Sequence, residues 1–464
     1  MSLTLAVAIG ALAIGTLLIS PRRATVEGFF HGRSETGAQP RLITLILSQV
    51  TTWIFARSLM NATILGYYYG IAGTLAYAAY YLSFFTGAAI VDHLRFRHGF
   101  ESVQAFLRTR FGRTGTSCYN FVVAVRLLSE VFANLIVIGL IFGDAGGSYY
   151  IIAVLAMATF GLGYSLMGGL RASLRTDVLQ MAALLIVLAV MTVQTVTGPF
   201  FDAPAILGSS PDLASPGWVL LLVAALQVWS YPLHDPVMMD RGFLADRRTT
   251  RLSFIHAGWI SIICILAFGM LGIVAGLNKE DGDAMVATLT RLFGEPLMTL
   301  FNLALIVSAI STLDSTLSAA AKLAISNMRL AAENVRNGRI AMIAFMLGGL
   351  GFLFLGSKDL FGAVAVSGTA SLYLTPAIVI SIWLGRTDVP VWSYAASFCA
   401  AMLGATLYFL ESSGYTNIVG PWTGVEHKYA KLLVICVGVL ILGFSAYAVG
   451  MLSHRRNAVA TPNA

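Results

Sequence analysis

The sequence predicts an all-α polytopic membrane protein, and three observations predict it. Hydrophobic residues make up 57% of the 464-residue chain and charged residues only 11%, against about a quarter charged in a soluble protein. Apolar runs of about 20 residues, the length that spans a bilayer, recur from one end to the other. Lys and Arg fall almost wholly into alternate connections, 22 of the 29 in one set and five in the other.

Taken in order, the runs place about thirteen spans near 2–20, 42–66, 67–91, 117–142, 149–168, 176–197, 217–238, 252–277, 297–325, 339–356, 360–385, 391–410 and 431–452. The first run reads as a span, not a cleaved signal peptide, because Arg22 and Arg23 follow it and no basic stretch precedes it. With the N-terminus outside and the C-terminus in the cytoplasm, the larger basic set, which includes Arg241, lies on the cytoplasmic side. Arg57 and Arg126 remain within the membrane. The outer connection 278–296 has the composition of a short surface helix.

Composition also excludes function classes. The net charge of +7 sits in short loops between apolar runs, so it marks topology and not a nucleic-acid surface. Cys118, Cys264, Cys399 and Cys436 are far apart and lack metal-ligand or disulfide spacing. No nucleophile and base cluster together, so the chain is not expected to be an enzyme and needs no cofactor. The short tail offers no output domain for a membrane sensor, and no obligate protein partner is evident.

A charge near the bilayer centre costs about 2.5–3.5 kcal/mol on insertion scales, so each polar interruption needs a reason. In the ninth run, Ser308, Ser311, Thr312 and Ser315 recur at i, i+3, i+4 and i+7 and share one helix face, with Asp314 beside them. Hydroxyls plus a carboxylate form an all-oxygen surface suited to a hard cation. Small hydroxyl residues also pack helices together, and Asp314 tilts the reading toward a cation site. In 227–241, Pro232 and Pro236 cannot both sit in an unbroken helix. Gln227, Tyr231, His234 and Asp235 surround that break, as in a discontinuous transporter helix.

The second run is interrupted by Gln49, Thr51, Thr52, Arg57 and Asn61. It is expected to lose its regular winding at 47–53. Two interrupted helices five spans apart fit an inverted repeat of five helices each. Arg57 either grips an anionic substrate group bidentately or pairs with Glu130; the pair is favoured because buried charges are normally neutralised. In 164–180, Asp177 opens a span, either as a favourable charge at a helix N-terminus or as a cation ligand or proton carrier.

These same residues resemble the sodium/solute symporter family, which includes carriers of proline, pantothenate, sialic acid and glucose. GFFHGRS at 28–34, GGLRASLRTDVLQ at 168–180, PVMMDRGFLAD at 236–246 and SAISTLDSTLS at 308–318 carry the resemblance in order. It implies the LeuT-type 5+5 inverted repeat. The organisation would be an extra helix and loop at 1–41, a first repeat at 42–197, a second at 217–385, and two C-terminal helices with a short tail at 391–464. It implies sodium held by the carbonyls of Leu47, Val50 and Ser308 and the side chains of Ser311 and Thr312. A second cation or a proton would use Asp177, Asp314 and Ser315. The substrate would lie among Trp53, Arg57, Gln227, Tyr231 and His234. The YPLHDP segment matches neither the sugar nor the proline pattern, so the solute does not transfer.

The expectation is therefore a sodium-coupled symporter of the cell membrane that imports a small organic solute by alternating access. A proton-coupled carrier using Asp177 and Asp314 is the alternative.

Overall fold

The computed structural model describes residues 3–21, 23–34, 37–355 and 360–460, without the side chains of 354, 355, 360, 361, 363 and 454–460. Arg22 and Lys358 of the charge pattern lie outside the described residues, as do the side chains of Arg455 and Arg456.

Every described element is helical. α1 (Leu3–Ile19) is followed by α2 (Leu42–Trp53), α3 (Ala56–Ala79), α4 (Val103–Phe142), α5 (Ser148–Gly168) and α6 (Leu170–Val196). Then come α7 (Pro216–Gln227), α8 (Pro236–Gly242), α9 (Arg247–Leu277), α10 (Met285–Lys322), α11 (Val335–Leu355), α12 (Leu360–Ser371), α13 (Val391–Ser412) and α14 (Lys428–Ala460). Among the described residues, eight helices are long and apolar enough to cross a membrane, or nine if the pair bent by 44° at 364–383 counts as one span. The chain is a multi-pass membrane protein.

Its surface is that of a body solvated by lipid. Ile186, Leu403 and Ile441 are exposed, whereas Asp177, Asp235, Arg241 and Asp314 are wholly buried. That distribution follows from a solvent that cannot hydrogen-bond, which drives ionisable groups to the bundle interior.

Two glycine turns change the direction of long helical stretches. α3 changes direction at Gly70, where φ is 60° and ψ −145°, a conformation that glycine adopts without a Cβ penalty. The hydroxyl of Ser210 takes the Tyr69 carbonyl there, and the hydroxyl of Ser209 accepts the Ile71 amide. α10 bends at Gly294, so its first part, 285–293, is the short helix expected in 278–296.

α3 and α9 approach closely because of small residues. A Cβ on Gly272 would lie 2.0 Å from the Thr63 carbonyl oxygen, and one on Gly66 would lie 2.3 Å from that of Gly269. Without a hydrophobic force between helices in lipid, such backbone contact is a main source of association.

Both interrupted helices are present, one at a different place from that expected. Between α7 and α8 the chain runs through turns at 228–234. Asp235 then caps α8 by accepting the Met238 amide at 2.9 Å, and Pro236 takes the first helical position, where its missing N–H is no loss.

The other break falls at Ile54–Phe55, between α2 and α3, and not at 47–53. Residues 47–53 contain no Gly or Pro and stay wound. The hydroxyls of Thr51 and Thr52 fold back onto the carbonyls of Leu47, Ser48 and Gln49, and Ile54 N–H still reaches the Val50 carbonyl. The ladder resumes at Ser58 and Leu59, both onto the Phe55 carbonyl.

Candidate functional site

The two breaks and the hydroxyl stripe of α10 meet in the middle of the bundle. Ser308, Ser311, Thr312, Asp314 and Ser315 are all at most 1% exposed, so the stripe faces the interior. Ser308 spans the gap between helices: its hydroxyl donates to the Ile54 carbonyl, which the break at 54–55 leaves outside the helical ladder. Across the same break, the Tyr81 hydroxyl donates to the Trp53 carbonyl at 2.9 Å.

The Ser311 hydroxyl donates to Asp177 at 2.7 Å, and the Thr312 hydroxyl to the Ser308 carbonyl at 2.8 Å. A hydroxyl that donates its proton keeps its oxygen lone pairs. Both oxygens therefore remain capable of ligating a cation. The Leu47 and Val50 carbonyls belong to the wound part of α2, each with a partner already.

Asp177 and Asp314 sit one layer further along. Asp177 accepts from Ser48 at 2.6 Å as well as from Ser311. Asp314 accepts from Thr176 at 2.9 Å and from Ser315 at 3.2 Å. The charge beside Asp177 is Arg241, wholly buried and 3.6 Å from it. The loop position that its sequence context implied is corrected here. α8 is too short to carry Arg241 clear of the bundle, so its side chain turns back among α2, α6 and α10. Among the described residues, no group of three or more His, Cys, Asp or Glu is arranged to hold a metal ion.

A second charged cluster lies near the other break. Arg126 contacts Glu130 at 2.6 Å and Asp235 at 2.5 Å, and donates to the Tyr231 hydroxyl at 3.1 Å. Trp53 Nε1 donates to the same Asp235 oxygen at 2.8 Å. The ion pair expected between Arg57 and Glu130 is thus made by Arg126 instead. Arg126 lies one helical turn from Glu130 on α4, where an i, i+4 pair meets without tertiary help. That spacing, inside an apolar run, was the signal available in the sequence.

Of the five residues expected around a substrate, three share one gap. Trp53, Arg57 and Tyr231 line it together with Tyr77, Tyr80 and Tyr81, none of which the sequence patterns had singled out. The gap is about 20 Å³, too small for an organic solute. Gln227 stands behind, accepting from Tyr80 at 2.9 Å. His234 lies against the other side of Tyr231, with ring centroids 4.9 Å apart, its Nδ1 2.7 Å from the Tyr231 carbonyl.

No family model matches the sequence, and no curated protein sequence matches it. Solved structures do match. A Na⁺-coupled sialic acid symporter, substrate-bound, outward-open and described as having a novel Na⁺ site, superimposes with TM-score 0.68 at 14% identity over 96% of each chain. A nucleobase–cation symport family transporter, closed around bromovinylhydantoin, gives TM-score 0.57 at 14% identity, covering 94% of this chain and 95% of that one. A manganese transporter from Eremococcus coleocola gives TM-score 0.50 at 14% identity, covering 94% and 98%. At such identity the likeness is one of fold, and over nearly its whole length the chain is folded as these transporters are.

Proposed function

We propose that the chain is a sodium-coupled secondary symporter that imports a small organic solute by alternating access. The observation that carries this reading is the buried oxygen stripe of α10 set against the break at Ile54–Phe55, with Ser308 bonded across it. The fold shared with cation-coupled transporters supports it. The reading includes two inverted five-helix repeats, 42–197 and 217–385, within about thirteen spans, and a place in the cell membrane with the N-terminus outside, the orientation resting on the alternation of basic residues.

Sodium binds at the Ser311 and Thr312 hydroxyls and the Ser308 carbonyl, with the Leu47 and Val50 carbonyls facing them from α2. A ligand shifts a conformational equilibrium only by its differential affinity for the two states. Here that difference arises because the ion's ligands lie on two helices, α2 and α10: they converge when α2 lies against α10 and part when it swings away. Solute binds among Trp53, Arg57, Gln227, Tyr231 and His234 once the aromatic gap opens. One positive charge entering down a potential of 100 mV, negative inside, gains about 2.3 kcal/mol, which drives accumulation.

Purified protein should melt at a higher temperature in sodium chloride than in choline chloride, since a ligand of the native state stabilises it by mass action. Ser311→Ala and Thr312→Ala should abolish that difference while the protein still inserts. An identical melting temperature in both salts, across a panel of amino acids, carboxylates, sugars and ureas, would overturn the assignment.

A further inference from the structure

The cage beside the sodium stripe already contains a cation, and that cation belongs to the chain. Arg241 Nε donates to Ser48 at 3.1 Å. Its Nη2 donates to Ser173 at 3.2 Å and to Ser315 at 3.1 Å, and stands 3.6 Å from Asp177. Nη1 closes the set on the Val237 carbonyl at 3.2 Å. Three hydroxyls and a carboxylate, drawn from α2, α6 and α10, thus converge on one guanidinium with no exposed surface. Ser315 and Asp177 are two of the three residues expected to hold a second mobile cation.

The local charges give the arrangement a consequence. Asp314 adjoins the cage through Ser315, which donates to it at 3.2 Å, so the cluster as a whole has two carboxylates and one guanidinium. A buried charge without a partner is costly; with both carboxylates ionised, the cluster is short of one positive charge and not two. Ser311 joins the deficit to the stripe, since its hydroxyl donates to Asp177 at 2.7 Å.

We propose that Arg241 is a tethered cation occupying the Ser48–Ser173–Ser315–Asp177 cage, so that the transport cycle uses one mobile monovalent cation where the empty cage would take a second. The single mobile ion is the one assigned to the Ser311–Thr312 stripe, and to that extent the inference rests on the sodium reading. A guanidinium suits the post because it stays charged under all physiological conditions and offers five donors in a rigid fork.

The test is equilibrium binding of radioactive sodium to the purified full-length protein. Unaltered protein should bind one ion per chain, and R241Q, which keeps the length and donors but not the charge, should bind two. R241K should bind one. In the Thr312→Ala background, which removes the stripe ion, the count should be none, rising to one when R241Q is added. This background separates the two readings: a gain of one ion on R241Q supports the tethered cation even if unaltered protein binds none, an outcome that would overturn the sodium reading alone. No gain in monodisperse R241Q would overturn the tethered cation. If R241Q does not survive extraction, R241K and R241Q/D177N decide the matter. The first conserves the charge and the second removes it with its partner, so both should be recovered with the unaltered count. Loss of either, or a changed count in either, overturns the proposal.

Discussion

At the scale of single residues, the interior is organised by hydrogen bonds that leave few charges alone. Asp235 receives Arg126, the Trp53 indole and the Met238 amide. Removing one member of a buried ion pair typically costs about 3–5 kcal/mol because the other charge is left in a poor solvent. Asp235→Ala should therefore lower the thermal unfolding midpoint more than Asp246→Ala, whose carboxylate caps α9 from an exposed position. Ser308→Ala withdraws the donor from the Ile54 carbonyl. A buried acceptor left unsatisfied costs about 1–3 kcal/mol, and the lost midpoint should be accompanied by faster hydrogen exchange at Ser58 and Leu59, where α3 begins. The identities of these residues were legible in the sequence as polar letters in apolar runs. The spacing of Arg126 and Glu130 signalled their pair, but the partner of Asp235 was not legible: only its position on the far side of the second break decides that Arg126 holds it.

At the scale of elements, α3 and α9 define how tightly the bundle closes. Gly272→Ala places a methyl group against the Thr63 backbone, where no side chain can move aside. Overpacking of this kind costs about 1–3 kcal/mol, so the midpoint should fall. Gly438→Ala, on α14 with nothing within 4 Å of its added carbon, should leave it unchanged or raise it slightly. Equal losses in both variants would show that helix propensity and not close approach is being measured. The break between α7 and α8 was readable because two prolines stand four residues apart. The break after α2 was misplaced because its cause is not local. Nothing in LSQVTTW forbids a helix, and the interruption at Ile54–Phe55 is held by Ser308 and Tyr81, far off in the chain.

At the scale of the whole molecule, the basic residues predict which connections share a side of the membrane. A chain whose four cysteines are replaced by alanine, with a single cysteine at Asp212 or at Arg248, should react with an impermeant maleimide from opposite sides. Asp212 should be labelled in intact cells and Arg248 only after permeabilisation. Labelling of both from outside would remove the orientation and with it the direction of transport.

The class of molecule and the presence of an oxygen-rich stripe were determined by the sequence alone, because hydropathy over about 20 residues and the 3.6-residue helical period are local properties. The tertiary structure decided where α2 stops, that Arg126 also holds Asp235, and that Arg241 leaves its loop context for the cage of Asp177. Each of these depends on which helices become neighbours. In lipid a buried charge settles beside whatever opposite charge or oxygen the packing supplies, and distance along the chain does not reveal that partner.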